Sequence, residues 1–306
     1  MGTPKAAVPA LGRILLDAHD VAAVYTQPDR PSGRGNKIVF SPVKEFALGK
    51  GLTVLQPQKI RNVEAIETFK AHKADVAVVV AYGRILPEEF LSALPMGAIN
   101  VHFSLLPKYR GAAPVNWAIA NGETETGVTT MRMDEGLDTG DILLQRSTAI
   151  SVDETAVELT ERLARLGADL LSETLSKYDE TKPLPQDTSL ASYAPILKRE
   201  DGRIDWRLRA TEIANRVRGF QPFPTAFTVY KGMRLTLWSA KPAASENGRE
   251  FAPGEVLAAD HCRLFIGCGQ SSGLCIEELQ LEGKRRMKAR DFLNGVKLQA
   301  GEVFGV

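Results

Sequence analysis

Short apolar segments alternate with helical patterns along the first half of the chain, and this alternation restricts the possible folds most. The connections are short, and strands that are joined through helices run parallel, with the helices packed on both faces of the sheet. The sequence therefore predicts an α/β fold with a doubly wound, mostly parallel sheet. The predicted elements are, in chain order, helix 6–16, strand 21–26, helix 43–50, strand 53–55, helix 63–72, strand 76–81 and strand 99–103.

The pattern changes in the second half of the chain. Ser151 and Glu154 form a capping-box pattern that predicts the start of a long helix ending near residue 178, and a Pro-containing polar stretch follows. Beyond it, several short strands with Gly or Pro turns are typical of a small β-barrel. We assign residues 1–181 to the α/β domain, 182–200 to a linker and 201–306 to the β domain.

Charge is distributed unevenly along the chain. Residues 196–306 carry 18 Lys and Arg against 13 Asp and Glu, and residues 1–195 carry 20 against 24, although the whole chain has a net charge of only +1. A basic second half is compatible with a nucleic-acid partner and equally with an ordinary solvated surface.

One strand ends in a pair of side chains that suit catalysis. Asn100 and His102 are two residues apart, so both lie on the same face of the predicted strand, at its carboxyl end, where open α/β sheets bind ligands. An acidic, Gly-rich loop with Asp138 follows 36 residues after His102. An amide, an imidazole and a carboxylate suit acyl transfer without a covalent intermediate. The alternatives are a core histidine bonded to an asparagine, and a solvated turn.

Other classes of chemistry have weaker support. The chain's one G-x-S-x-G match, at residues 269–273, and all three cysteines lie late in the chain, far from the Asn100 strand, and a covalent nucleophile is not predicted. Its three cysteines lack metal-site spacing and are expected to be reduced core thiols, and no metal is expected. The longest apolar run, residues 76–81, is too short for a membrane span, and the start lacks a secretory profile, so a cytoplasmic protein is expected.

Ordered motifs along nearly the whole chain resemble the 10-formyltetrahydrofolate-dependent formyltransferases. They read T-Q-P-D-R-P from residue 26, N-x-H-x-S-L-L-P from 100, R-G-A-A-P from 110, E-T-G-V-T from 125, G-L-D-T-G-D from 136 and F-Q-P-F-P from 220. The resemblance implies a formyltransferase-like α/β domain followed by an OB-like β-barrel that binds tRNA. The implied reaction moves the formyl group of 10-formyltetrahydrofolate to the α-amine of methionine on initiator methionyl-tRNA.

The resemblance also implies roles for particular residues. Asn100 and His102 would stabilise the tetrahedral oxyanion, and Asp138 would take part in proton transfer. The folate would bind at the carboxyl ends of two strands, where a loop with apolar side chains and free backbone amides can hold a flat heterocycle. The expected folate-binding residues are Ser104, Leu105, Leu106, Pro107, Tyr82, Gly83, Arg84, Ile85 and Leu86.

Two basic segments are candidates for tRNA binding. The loop after strand 21–26 contains Arg30, Arg34 and Lys37, and the resemblance implies that Arg34 reaches the acceptor arm. Its glycines do not form G-x-G-x-x-G, so a dinucleotide site is not predicted. The densest basic run near the end contains Lys284, Arg285 and Arg286. Either segment could also be an ordinary surface loop.

Two expectations concern the beginning of the chain and its substrate. The first residues form a turn before a helix, whereas the family has a strand there, so the first strand is expected to be missing. The same side-chain set could also formylate a small amine, such as glycinamide ribonucleotide or an amino-sugar nucleotide. A catalytically idle tRNA-binding protein is a third possibility. In any of these cases the protein is expected to be a monomer.

Overall fold

The computed structural model describes residues 1–32, 37–243, 251–260 and 263–305, without the side chains of Ser32, Lys37, Asp260 and Arg263. The chain forms two compact units. The first contains Met1–Pro114, Glu125–Ala149 and Thr160–Ala194, and the second contains Val115–Thr124, Ile150–Leu159 and Pro195–Val306. No helix in these described ranges is both long enough and apolar enough to cross a membrane.

The secondary structure follows the predicted alternation closely. Up to residue 194 the strands are β1 (Val24–Tyr25), β2 (Arg30–Ser32), β3 (Lys37–Val39), β4 (Val54–Leu55), β5 (Ala77–Val79), β6 (Ala98–His102), β7 (Arg110–Gly111), β8 (Glu125–Arg132), β9 (Ile142–Ala149) and β10 (Tyr193–Ala194). The helices are α1 (Val8–Leu16), α2 (Pro42–Gly49), α3 (Val63–Ala71), α4 (Glu88–Leu91), α5 (Pro114–Ala120) and α6 (Ala156–Ser176).

The α/β prediction is confirmed, with a mixed rather than mostly parallel strand arrangement. β1 pairs with β4 and β5 pairs with β6, both in parallel. β8 then pairs antiparallel with β6, and β9 with β8. The last reversal follows from the short loop between β8 and β9, because a parallel pair needs a long crossover connection. All five residues of β6 are buried, as expected for a strand covered on both faces.

The first residues of the chain lie between β1 and β5. Gly2 forms a parallel bridge with Val80 and donates its N–H to the Tyr25 carbonyl at 2.9 Å. The amino group of Met1 donates to the Val78 carbonyl at 2.7 Å. A cavity of about 700 Å³ lies beside these residues, with walls formed by α1, the two strand edges and Phe69. The absence of a first strand stays a prediction.

The stretch that the sequence predicts as a linker packs on the first unit over much of its length. Leu184 exchanges two backbone hydrogen bonds with Ile142, at 2.8 and 2.9 Å. β10 pairs in parallel with β7. The predicted boundaries at residues 181 and 200 stay predictions.

The second unit contains a six-stranded antiparallel sheet. Its elements are α7 (Ala210–Gly219), β11 (Ala226–Tyr230), β12 (Met233–Ala243), β13 (Val256–Asp260), β14 (Arg263–Cys268), β15 (Ser272–Leu281), β16 (Met287–Lys288) and α8 (Ala289–Gly295). The strand order is β11-β12-β15-β14-β13, and β16 also pairs with β15. The apolar faces of the sheet and of α7 bury a common core that includes Leu235, Ile276 and Ile213.

The predicted β domain is confirmed, and its strands form an open sheet rather than a closed barrel within the described residues. Short segments cover the two outer strands instead. Arg203 forms a bridge with Phe227 on β11, and Val303 forms one with Glu255 beside β13. Covering an edge with a short segment limits pairing with other chains, so closure of the barrel is not required.

Candidate active site

Asn100 and His102 lie on one face of β6, as their spacing predicts. β6 is held between β5 and β8, with Asn100 opposite Met131 and His102 opposite Thr129 on β8. The two side chains are almost fully buried, with exposed fractions of 9% and 5%. Polar groups buried to this extent need partners, so their bonds define the site.

Asp138 reaches both side chains from the loop between β8 and β9. Asn100 Nδ2 donates to Asp138 Oδ1 at 3.4 Å, and His102 Nδ1 lies 3.7 Å from Asp138 Oδ2. The Gly111 amide donates to the same Oδ2 at 2.8 Å. Asp138 has a φ of 52°, which is uncommon for a residue other than glycine. The structure therefore brings together the three residues that the sequence predicts as catalytic.

The ring of His102 has a defined orientation. Its Nε2 lies 2.9 Å from the Tyr109 carbonyl oxygen. A carbonyl oxygen only accepts hydrogen bonds, so Nε2 carries a proton and donates it. The other ring nitrogen, Nδ1, faces Asp138 and is the one that can gain or lose a proton during a reaction.

The turn after β6 is held from behind by side chains of β8 and β9. The Thr129 hydroxyl donates to the Ser104 carbonyl at 2.7 Å and accepts from the Leu106 amide at 3.1 Å. Gln145 Nε2 donates to the Leu106 carbonyl at 2.8 Å. Sequence reasoning gave no role to Thr129, the last residue of the E-T-G-V-T motif, and missed Gln145, because nothing next to it in the chain distinguishes it from other strand residues.

The four predicted folate-binding residues of this turn do not all point outward. Ser104 is buried and donates to the Lys108 carbonyl at 2.6 Å, and Leu106 is buried against Met131 and Ile142. Leu105 and Pro107 are partly exposed. Side-chain contacts to a ligand are therefore more accessible for Leu105 and Pro107, whereas Ser104 and Leu106 shape the turn.

The loop after β5 has the same division. Tyr82 and Leu86 are buried in the core of the first unit, while Gly83 and Ile85 are exposed. Arg84 donates to the Gln27 side chain at 3.0 Å and to two carbonyls of residues 57 and 58. β5 and β6 are neighbouring parallel strands, so the loops after both leave from the same edge of the sheet.

The predicted tRNA-binding residues are described only in part. Arg34 and the Lys37 side chain lie outside the described residues, and Arg30 is exposed. Lys284, Arg285 and Arg286 are exposed on the turn between β15 and β16.

Two basic side chains near these segments are bound within the protein. Arg286 forms an ion pair with Glu278 and lies over the Trp238 ring at 5.0 Å. Lys44, at the end of the first basic loop, forms an ion pair with Asp29. Neither cation is as available to a phosphate as Lys284 and Arg285 are.

Both halves of the chain match known family profiles. A profile described as "Formyl transferase" matches residues 2–175, and one described as "Formyl transferase, C-terminal domain" matches residues 196–297. The chain belongs to the formyl transferase family. Among its relatives is the methionyl-tRNA formyltransferase of Caldanaerobacter subterraneus subsp. tengcongensis, which is 51% identical over 99% of this chain and 98% of that protein. The protein of the same name from Geobacter metallireducens is 50% identical over 98% of this chain and 96% of that protein.

The fold is also similar to that of more distant solved structures. One is WlaRD, described as a sugar 3N-formyl transferase in the presence of dTDP and 5-N-formyl-THF. The two structures superpose with a TM-score of 0.65 over 93% of this chain and 97% of the WlaRD chain. Its sequence identity is 22%. This likeness concerns the fold alone.

Proposed function

We propose that this chain transfers the formyl group of 10-formyltetrahydrofolate to the α-amine of methionine on initiator methionyl-tRNA. The observation that carries the proposal is the convergence of Asn100, His102 and Asp138 at the end of β6. Relatives named methionyl-tRNA formyltransferase, which match nearly the full chain at 50–51% sequence identity, support this acceptor.

The reaction requires stabilisation of a negative oxygen. The amine nitrogen attacks the formyl carbon and forms a tetrahedral oxyanion. The amide N–H of Asn100 is a donor for that oxygen, and the removal of one such donor typically slows an enzyme about 10²- to 10³-fold. Since the Nε2 of His102 is bonded to the Tyr109 carbonyl, only its Nδ1 is left to face the reacting atoms.

The reaction also requires the movement of one proton. As the new C–N bond forms, the amine loses a proton, and as the bond between the formyl carbon and N10 breaks, N10 gains one. His102 Nδ1 and the Asp138 carboxylate, 3.7 Å apart, form a pair that can hold this proton between the two steps. The hydrogen bond from the Gly111 amide holds the Asp138 carboxylate in position. The Asp138 side chain is more exposed than that of His102.

The donor would bind along the edge from which the loops after β5 and β6 leave. Exposed Ile85 and partly exposed Leu105 and Pro107 offer apolar contacts to a flat ring, and Gly83 leaves its backbone accessible. Buried Tyr82, Leu86, Ser104 and Leu106 would shape this surface from below. We include Arg84 because it fixes the β5 loop to Gln27.

For the tRNA, we propose phosphate contacts by the exposed Lys284 and Arg285 and by the basic loop with Arg30, Arg34 and Lys37. A cytoplasmic monomer with domains at 1–181 and 201–306 stays a prediction.

The two alternative functions have less support. The solved sugar formyltransferase shares the fold at low identity only, and an idle tRNA-binding protein would not need three converging polar side chains at a strand end.

A formyl-transfer assay tests the proposal. The chain is incubated with 10-formyltetrahydrofolate and offered initiator methionyl-tRNA, glycinamide ribonucleotide or an amino-sugar nucleotide, each in turn. We expect formylmethionyl-tRNA as the main product and little transfer to the small amines. Transfer to a small amine alone would assign the chain to a different acceptor, and tRNA binding without any transfer would support the idle protein.

A further inference from the structure

Gln186 lies behind the Asp138 loop and makes four hydrogen bonds with its side-chain amide. Its Nε2 donates to the Asp138 carbonyl at 2.9 Å and to the Gly140 carbonyl at 2.7 Å. Its Oε1 accepts from Arg110 Nε at 3.0 Å and Nη2 at 2.7 Å. Arginine only donates and carbonyls only accept, so the orientation of the amide is unambiguous and its donors and acceptors are all used.

Arg110 holds Gln186 from a buried position next to the site. Its side chain is almost fully buried, and β7 is fixed by its pairing with β10. The next residue, Gly111, donates its amide to the Asp138 carboxylate. Gly111 has a φ of 119°, and a Cβ there would lie 2.7 Å from the Ala194 carbonyl oxygen. Two consecutive residues therefore hold Asp138: Gly111 bonds its carboxylate directly, and Arg110 holds its backbone carbonyl through Gln186.

The Asp138 loop needs support from Gln186, because the hydrogen bonds at its tip stay within the loop. Glu135, Gly136 and Leu137 are exposed, and the Asp134 carboxylate accepts from the Gly136 amide and the Thr139 hydroxyl, which both belong to the same loop. Asp138 itself has a left-handed backbone, which the surroundings must hold in place. Loss of the two carbonyl bonds would allow the carboxylate to move away from His102.

We propose that Gln186, held by Arg110, is a positioning residue that fixes the Asp138 carboxylate against Asn100 and His102. The proposal rests on the proposed function of this site. Gln186 acts through Asp138, because its four side-chain hydrogen bonds go to Arg110 and to the carbonyls of Asp138 and Gly140. Its contribution should therefore appear in turnover and disappear when the Asp138 charge is removed.

The main variant is Gln186→Glu, which keeps an acceptor for Arg110 but cannot donate to the two carbonyls when ionised. We expect kcat for methionyl-tRNA formylation to fall about 10- to 100-fold, because a displacement near 1 Å can cost that much. KM for both substrates should change less than about 3-fold. Hydrogen exchange at the Gly111 amide should become faster, since its acceptor is no longer held.

A double variant separates positioning from a general structural effect. In an Asp138→Asn background, Gln186→Glu should lower kcat little further, because residues that act as a unit are not additive. Gln186→Met, which also removes the acceptor, should have the same kinetic pattern.

The matched control is Gln221→Met in the second unit, where Nε2 likewise donates to two carbonyls, those of Val217 and Trp238. It should lower stability and leave kcat unchanged.

Several outcomes would overturn the proposal. They are unchanged kcat in both Gln186 variants, a loss confined to KM, full additivity with Asp138→Asn, or failure of both variants to fold. If the unaltered chain does not formylate methionyl-tRNA, the proposed function fails instead. The Gly111 exchange rate then still tests whether Gln186 holds the Asp138 loop.

Discussion

His102 and Asp138 are separated by 3.7 Å, which is longer than a hydrogen bond, and the Asp138 carboxylate has its shortest bond to a backbone amide. The carboxylate therefore does not depend on the imidazole for its position. Since His102 Nε2 is also bonded to a carbonyl, each group is held independently of the other. A pair of this kind can exchange a proton with a substrate without a large rearrangement.

We expect Asp138→Asn to lower kcat by orders of magnitude while folate affinity changes little. The amide has nearly the same shape but cannot hold the proton that the amine loses. Steady-state kinetics with methionyl-tRNA and equilibrium binding of the folate would measure the two effects separately. A parallel loss of folate affinity would mean that the carboxylate contacts the folate rather than the proton.

We expect Asn100→Ala to lower kcat about 10²- to 10³-fold with a small change in KM. The missing donor acts on an oxygen that becomes negative only in the transition state. Single-turnover rates and KM for both substrates are the measurements. If the change appears in KM and kcat stays the same, Asn100 contributes to ground-state binding.

At the scale of elements, α6 begins later than its sequence signal predicts. Ser151 and Glu154 do exchange backbone and side-chain bonds, but they precede the helix. The helix begins at Ala156, and Thr155 and Glu158 form the reciprocal capping bonds. Two candidate capping boxes follow each other here, and the helix begins at the second.

The turn between β15 and β16 carries a testable electrostatic contribution. We expect Lys284→Ala with Arg285→Ala to weaken methionyl-tRNA binding and to flatten the log-log salt dependence by about 0.7 to 0.9 for each phosphate that is no longer neutralised. The effect should be general to tRNA, because phosphate contacts carry little sequence information. Binding titrations at several salt concentrations would measure both quantities.

The control for this turn is Arg207→Ala in the same unit. Arg207 bonds Asp205 through two nitrogens at 2.8 Å, so its charge is already neutralised within the protein. It should leave the salt slope unchanged. An equally steep slope in the double variant would remove the turn from the tRNA interface and leave the basic loop with Arg34 as the remaining candidate.

At the scale of the whole molecule, the buried amino group of Met1 links stability to pH. Burial lowers its pKa from 8.0 to about 5. The unfolded chain therefore binds more protons than the folded one between about pH 5 and 8, and stability rises with pH across this window. Stability is correspondingly lost as the pH falls from 8 towards 5.

An extended apolar segment joined ahead of Met1 should remove this pH dependence and raise stability. The ammonium would become an amide that can still donate to the Val78 carbonyl, and roughly five apolar residues could enter the cavity between β1 and β5. Denaturant unfolding between about pH 5.5 and 8.5 would measure both effects.

Acetylation of Met1 is the matched control for this extension. It should remove the pH dependence without the gain from apolar burial, because it adds almost no side-chain surface. If the unfolding free energy of the unaltered chain has the same pH dependence as that of the acetylated chain, the amino group is not buried in solution.

The sequence alone determined the order of the elements and predicted the three polar residues that converge at the candidate site. Hydrophobic periodicity reports the local backbone state, so helices and strands appear within a few residues of their predicted positions, and Asn100 and His102 share a face because a strand has a period of two. Glycines and carboxylates marked the acidic loop as a polar turn, and the family resemblance selected Asp138 within it.

The tertiary structure alone decided which distant residues hold that site. Gln186 lies 48 residues beyond Asp138, in a stretch that the sequence predicts as a linker, and no local pattern pairs it with Arg110 or with the Asp138 carbonyl. The direction in which Ser104 and Leu106 point, the antiparallel pairing of β8 with β6, and the open sheet of the second unit also depend on packing. Such contacts form only when the chain closes long loops, and periodicity along the sequence carries no information about which loops close.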